Sequence, residues 1–296
     1  MKNQPTVRTG LTVGFGNNLF QFVYAKLLAE KIDAKIAILP PYGDYFGLEC
    51  LDLLLDSVDN YEVIPVYNAP YAVSNDYPTI IISSEKEAHE HLQNPQKANY
   101  QLCGYFEDFT LYSNDLEKIK SWFFKVDKSR TSDAVLHLRL GDRLFIPATY
   151  DPRALLTFER YSKGLEELEF DTLYIVSDLP EWKNYSGDEL LSLDYHTHLT
   201  QGAEKIKDKA ADYTNELINK LSAKYKVEFY HEGLLKDFEF IRGFDKIMFG
   251  YSTFAWWAAA LSDASRVGVF EPWRPMKEDK NKNLGKTNYP GWFGWR

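Results

Sequence analysis

The sequence predicts an α/β protein of two domains, the second of them doubly wound. From about residue 134 onward, short β-branched and aromatic runs alternate with longer segments whose apolar residues recur at helical spacing. That alternation builds right-handed βαβ units and a parallel sheet. The first half alternates too, around a glycine-rich turn near its start. Between the halves the polar stretch DKSRTSD (127–133) reads as a linker, which divides the chain into domains 1–130 and 131–296.

In chain order, a short strand near Val7 leads to the turn GFGNN (14–18). A strongly amphipathic helix follows, with Leu19, Phe22, Val23, Leu27 and Leu28 on one side. AKIAIL (34–39), YEVIPVY (61–67), PTIIIS (78–83) and NYQLCGYF (99–106) read as strands, Pro40, Pro41 and Gly43 as a loop, and 114–122 as a helix. In the second half the strands are AVLHLRL (134–140), DTLYIVS (171–177), KVEFYH (226–231), DKIMFG (245–250) and RVGVF (266–270). The helices between them are 154–168, 210–226, 237–244 and STFAWWAAALS (252–262).

Composition narrows the function. With 45% hydrophobic and 16% aromatic residues the chain can build sizeable cores and is not disordered. A net charge of −9 argues against nucleic acid or an anionic membrane as partner. The two cysteines, Cys50 and Cys103, make no disulfide framework and read as cytosolic thiols. The first residues, MKNQPTVRTG, lack an apolar signal core, and no run approaches the roughly 18 apolar residues of a membrane helix. A cytoplasmic protein without a membrane span is the expectation.

Ligands of an open parallel sheet bind outside the carboxyl ends of the strands. After AVLHL come Arg139, Leu140, Gly141, Asp142 and Arg143; after DTLYIV, Ser177 and Asp178; after DKIMFG, Tyr251, Ser252, Thr253 and Phe254; after RVGVF, Glu271, Pro272 and Trp273. Two of these ends suit an anion. A helix starting at Ser252 presents unpaired N–H groups and the positive end of its dipole, and the hydroxyls of Ser252 and Thr253 add donors. Taken alone, the pair reads as an ordinary helix cap. Arg139 shifts the balance, because a guanidinium grips phosphate oxygens in pairs, and Gly141 lets backbone approach a ligand. A salt bridge to Asp142 is the other reading of Arg139.

Trp256 and Trp257, followed by three alanines, read as helix-to-sheet core rather than a sugar platform. GFGNN is not a G-x-G-x-x-G, so it is weak support for a dinucleotide site, though Gly14 and Gly16 permit backbone beside a ligand. Asn17 is open to two readings, a helix cap or a polar group in a cleft. His89 and His91, like His196 and His198, are spaced for a strand face but read as solvated loop residues. There is no D-x-D metal clip, and the charged run at 277–282 reads as solvated surface.

These residues resemble the alpha-1,2-fucosyltransferases of glycosyltransferase family 11. The similarity lies in five places in order: GFGNNLFQFVYAKLLA (14–29), GYFEDFTLY (104–112), HLRLGD (137–142), IVSDLPEW (175–182) and DFEFIRGFDKIMFGYSTFAWWAAALS (237–262). The family's H-x-R-R-G-D motif has Leu140 where its second Arg stands. Asn18 replaces a Gln, Tyr251 an Asn, Ala255 a Ser and Phe244 a Cys. The resemblance implies a GT-B fold, two Rossmann-like domains facing across a cleft, with GDP-fucose in the second and the acceptor glycan in the first. It implies metal-independent, inverting transfer with no cofactor beyond the donor substrate. Arg139 would contact the diphosphate, with Ser252, Thr253 and Phe254 lining the phosphate end and His137 and Asp178 near the nucleotide. Asp142 is the first candidate for the base that takes the acceptor's proton, its other reading being a partner that orients Arg139 or Arg143. Asn17 would be a polar contact from the first domain. Two other classes are a GT-B transferase using another nucleotide sugar and a carbohydrate-binding relative without catalysis.

Overall fold

The computed structural model describes residues 4–11, 14–39, 61–63, 76–145, 155–193, 202–270 and 291–295. The readings of Pro40, Pro41, Gly43, Cys50, residues 64–67, His196, His198, 271–273 and 277–282 fall outside them. The chain divides into two compact units, one built on Met1–Lys125 and the other on Val126–Asp279 with Pro290–Arg296.

The first unit carries β1 (Thr6–Gly10), α1 (Phe15–Ile32), β2 (Lys35–Leu39), β3 (Tyr61–Val63), β4 (Thr79–Ile82), α2 (Glu85–Gln93), β5 (Asn99–Leu102) and α3 (Leu116–Lys120). Its five strands are parallel in the order β3-β2-β1-β5-β4. Two expectations change here. The glycine-rich turn is shorter than GFGNN, because α1 starts at Phe15 with Gly14 as its cap, so Gly16, Asn17 and Asn18 are helical. Nor is α1 amphipathic: Phe20, Tyr24 and Ala25 are as buried as Leu19, Phe22 and Val23, and even Asn18 and Gln21 are inside. A helix packed on most sides loses its polar face. It ends at Asp33, whose left-handed backbone (φ 54°) directs its N–H to the Ala29 carbonyl.

Helix α2 was not expected, and His89 and His91 sit on it instead of a loop. Its start is a capping box. Glu87 N–H donates to Ser84 Oγ, and the Glu87 carboxylate accepts from the Ser84 N–H.

The second unit carries β6 (Arg130–Leu138), α4 (Phe158–Leu165), β7 (Leu173–Ser177), α5 (Gly187–Ser192), α6 (Lys207–Lys224), β8 (Val227–Tyr230), α7 (Leu234–Arg242), β9 (Phe244–Phe249), α8 (Thr253–Ala260), β10 (Arg266–Phe270) and β11 (Phe293–Trp295). All six strands are parallel in the order β11-β10-β9-β6-β7-β8. Counted from β6, that is the 3-2-1-4-5-6 order of dinucleotide-binding folds, with the direction of winding reversing between β6 and β9.

Strand β6 begins inside the expected linker. The Arg130 guanidinium lies 4.5 Å from the Tyr174 ring and 4.9 Å from the Phe240 ring, which ties residues 130–133 to the sheet across a register shift. Ala134, Val135, Leu136, Ile175, Ile247 and Met248 are fully buried, as a sheet covered on both faces requires. α4 reaches the sheet through Gly164, where a Cβ would sit 2.7 Å from the Trp295 indole and 2.8 Å from Met248 sulfur. Trp256 and Trp257 are fully buried in α8 and pack edge to face at 4.9 Å, so they are core as expected. No helix among the described residues is long and apolar enough to cross a membrane.

Candidate active site

The strand reversal between β6 and β9 brings two loop starts together. His137, one residue before the end of β6, pairs in register with Phe249, the last residue of β9. Arg139–Asp142 leave the end of β6, and Ser252–Phe254 open α8 just past the end of β9. Asp178 leaves β7, the neighbour of β6 on the other side.

Arg139 and Asp142 form an ion pair. The guanidinium donates to both carboxylate oxygens of Asp142, at 3.2 and 3.3 Å from one terminal nitrogen and at 3.4 Å from Nε. These are long for charge-assisted bonds, which close to about 2.8 Å when well aligned. With its side chain 35% exposed, Arg139 is within reach of solvent.

Asp178 serves the same loop from the other side. Its Oδ1 accepts the Leu140 N–H at 2.9 Å and the Ser177 hydroxyl at 3.2 Å. Burial raises its pKa, and the Leu140 amide and Arg139 oppose that rise. Its carboxylate thus fixes the turn that aims Arg139. Leu140 itself is buried in the apolar cluster beneath, so the position at which the resembled family carries a second Arg belongs to the core here.

His137 is 8% exposed, and its Nδ1 has no partner beyond its own main chain. Burial first, and the Arg139 charge second, push its pKa down to about 3, so the ring is neutral at physiological pH. Its ring lies 5.4 Å from that of Phe254, and Phe254 lies 5.4 Å from Phe238 edge to face. This aromatic chain joins the end of β6 to the first turn of α8 and the middle of α7.

Ser252 caps α8, its Oγ accepting the Ala255 N–H at 3.2 Å. The plain cap reading is therefore correct as far as it goes. α8 thus begins as a capped helix N-terminus directly after β9. Ser252 and Thr253 are 2% and 7% exposed.

Gly14, Gly16 and Asn17 lie together in the first unit, at the start of α1. The Asn17 N–H donates to the Gly14 carbonyl at 3.0 Å, and a Cβ on Gly14 would meet open space. Among the described residues no three His, Cys, Asp or Glu side chains gather as a metal site.

A buried polar group that the sequence reading does not single out stands after β8. Asp237, in the first turn of α7, is 5% exposed. Its two oxygens accept the Glu232 N–H at 2.8 Å and meet His231 Nδ1 at 2.7 Å. His231 directly follows β8, so the strand-end rule applied to KVEFYH would have found it.

No family model matches this chain, and no curated protein matches it by sequence. The fold does match solved structures. An NodZ alpha-1,6-fucosyltransferase crystal structure soaked with GDP-fucose superposes with a TM-score of 0.51 over 91% of this chain and 96% of that one, at 11% identity. Fucosyltransferase NodZ from Bradyrhizobium gives 0.45 over 88% and 94%, also at 11% identity. At such identity the likeness establishes the fold, which is GT-B-like with two Rossmann-like domains.

Proposed function

We propose that the chain transfers L-fucose from GDP-fucose to a hydroxyl of an acceptor glycan, with inversion and without a metal. The observation that carries this reading is that Arg139 leaves β6 and α8 starts just past β9, on two strands that pair side by side at the reversal. A guanidinium, a helix N-terminus and two hydroxyls together suit a diphosphate leaving group. The fold likeness to the NodZ enzyme supports fucose as the sugar, and the five motif resemblances support it independently.

In this mechanism an acceptor oxygen attacks the anomeric carbon as the bond to the diphosphate oxygen breaks. GDP departs with the electron pair, and the charge that grows on it falls on Arg139 and the α8 amides. Preorganised donors of that kind are worth roughly 3–4 kcal/mol each. Asp142 has a task at each stage. Before the donor binds it holds Arg139 in place; once phosphate oxygens take the guanidinium, its carboxylate is free to accept the acceptor's proton. At the other end of the nucleotide, Asp237 is the carboxylate for the base. Guanine presents two adjacent N–H donors, and a carboxylate offers two oxygens with about four lone-pair directions, of which the protein uses two.

The linkage we assign is alpha-1,2 to a galactoside, on the motif resemblance, although the solved neighbour is named for an alpha-1,6 linkage. The test is incubation with GDP-fucose and a panel of galactose-terminated glycans in excess EDTA, read by mass spectrometry and linkage analysis. One deoxyhexose added at O2 of galactose is expected. Transfer only from another nucleotide sugar, or only after Mg²⁺ or Mn²⁺ is restored, would overturn the donor or the metal-free chemistry respectively. Addition at O6 would replace the linkage and leave the donor reading intact.

A further inference from the structure

We infer that His231 is a positioning residue that sets how sharply the site distinguishes guanine from other bases. The inference rests on the reading above, in which Asp237 receives the base. Asp237 alone could turn about its own side-chain bonds. Two contacts fix it: the Glu232 amide holds Oδ1 at 2.8 Å, and His231 Nδ1 holds Oδ2 at 2.7 Å. Both come from one short segment between β8 and α7. That segment folds back through Gly233, whose φ of 96° lies where L side chains are strained, and whose carbonyl accepts the Asp237 N–H at 2.9 Å.

The neighbouring charge does not compete. The Glu232 carboxylate is taken by Lys236 Nζ at 2.8 Å, leaving the imidazole as the side chain that meets Asp237. His231 is itself partly open, its side chain 31% exposed, whereas Asp237 is inside. The exposed ring is thus an outer brace and the buried carboxylate the reading group. With one oxygen fixed by an amide and the other by a ring nitrogen, the free lone pairs are presented in one plane, as a pair of parallel N–H donors requires. Loss of the ring leaves a carboxylate fixed at one oxygen only, which can meet a single N–H nearly as well as a pair.

The experiment measures dissociation constants of GDP, IDP, UDP and inorganic pyrophosphate by calorimetry for the wild type, His231→Ala and His231→Asn. IDP lacks the 2-amino group and keeps N1–H, so the ratio of GDP affinity to IDP affinity reports the second hydrogen bond. Wild type is expected to prefer GDP. In His231→Ala the ratio should fall by about tenfold, the worth of one aligned charge-assisted bond, with pyrophosphate affinity unchanged. His231→Asn, whose amide nitrogen stands where Nδ1 stood, should restore most of the ratio. An unchanged ratio in folded His231→Ala overturns the proposal, and so does an equal loss of GDP and pyrophosphate, which would mark a merely structural role. If the alanine variant fails to fold, a ratio in His231→Asn below a third of the wild-type value overturns it instead. Wild type that binds pyrophosphate but does not prefer GDP to UDP overturns the donor reading itself, a different outcome from either.

Discussion

The two sheets end in opposite chemistry. Where β6 and β9 give out, the second unit presents donor groups, the Arg139 guanidinium and the hydroxyl-bearing N-terminus of α8, with the Leu140 amide spent on Asp178. Where β5 gives out, the first unit offers acceptors and rings. Glu107 and Asp108 are buried there, and Asp108 binds His89 Nε2 at 2.7 Å and the Thr110 hydroxyl at 2.7 Å. Phe106 directly precedes them with a left-handed backbone (φ 55°), stacked on Tyr24 at 4.4 Å and tied by Tyr112, whose hydroxyl donates to its carbonyl at 2.6 Å. A bulky residue in that conformation costs on the order of 1–3 kcal/mol and persists only where its surroundings enforce it. The same parallel architecture thus carries opposite polar groups in its two units, set by a few residues after the strands.

The hardest test of that contrast is Arg139→Lys. Lysine keeps the charge and loses the planar fork. Turnover should fall on the order of 10²-fold or more in a protein that still folds. Near-normal turnover would take the guanidinium out of the chemistry and leave the Asp142 ion pair as its whole role.

A second test uses acid. Burial keeps His137 neutral in the folded chain, whereas the unfolded chain protonates it from about pH 6.5 downward. Stability from this group is full above pH 6.5 and is lost as pH falls towards its folded value of about 3. By pH 4.5 the loss should be about 2–3 kcal/mol. Asp178 acts in the opposite sense, because burial raises its pKa and its contribution grows as pH falls. Urea unfolding of wild type and His137→Gln at pH 7 and pH 4.5 separates the two. If both proteins lose stability equally, His137 is not the buried neutral ring described.

Asp142→Asn sharpens the account of the ion pair. In the wild type a diphosphate must draw Arg139 away from Asp142. Partly exposed pairs of this kind are worth up to about 1 kcal/mol, so the asparagine variant should bind GDP about two- to fivefold more tightly while turnover falls. Weaker GDP binding would mean that Asp142 holds Arg139 in the binding geometry rather than in a resting one.

Much of this contrast was legible in the sequence, for a reason that differs between elements. The second unit's central strands are largely buried on both faces, so they read as continuous apolar runs, and Arg139, Asp178 and Ser252 stand just past their ends. α1 was found but misread, because a helix buried nearly all round has no polar face to set its period. α2 does not stand out although Ser84 and Glu87 spell its capping box, because few apolar residues follow them to set a helical period. β11 was missed because three residues carry no period. The pairing of His231 with Asp237 depends on the tight turn at Gly233, which spacing alone does not reveal.

The smallest effect tests whether the anion end is confined to the second unit. A ligand at 100 times its dissociation constant stabilises the folded state by about 2.7 kcal/mol, which for a chain of this size raises the melting temperature by roughly 2 °C per kcal/mol. GDP should therefore shift the wild type by about 5 °C at that concentration. Ser252→Ala/Thr253→Ala removes two hydroxyls and leaves every backbone amide, so its GDP shift should shrink by about 1–2 °C and not vanish. Part of the cost will appear without ligand, because Ser252 caps α8; the quantity to compare is the shift within each variant. Asp108→Asn, in the first unit, should lower the ligand-free melting temperature through the lost His89 contact and leave the GDP shift as it is in wild type. An unchanged shift in the double variant would return Ser252 and Thr253 to the cap role alone. A shift reduced by Asp108→Asn would show that the acidic strand end also senses the nucleotide, and the division of labour between the two sheets would have to be redrawn.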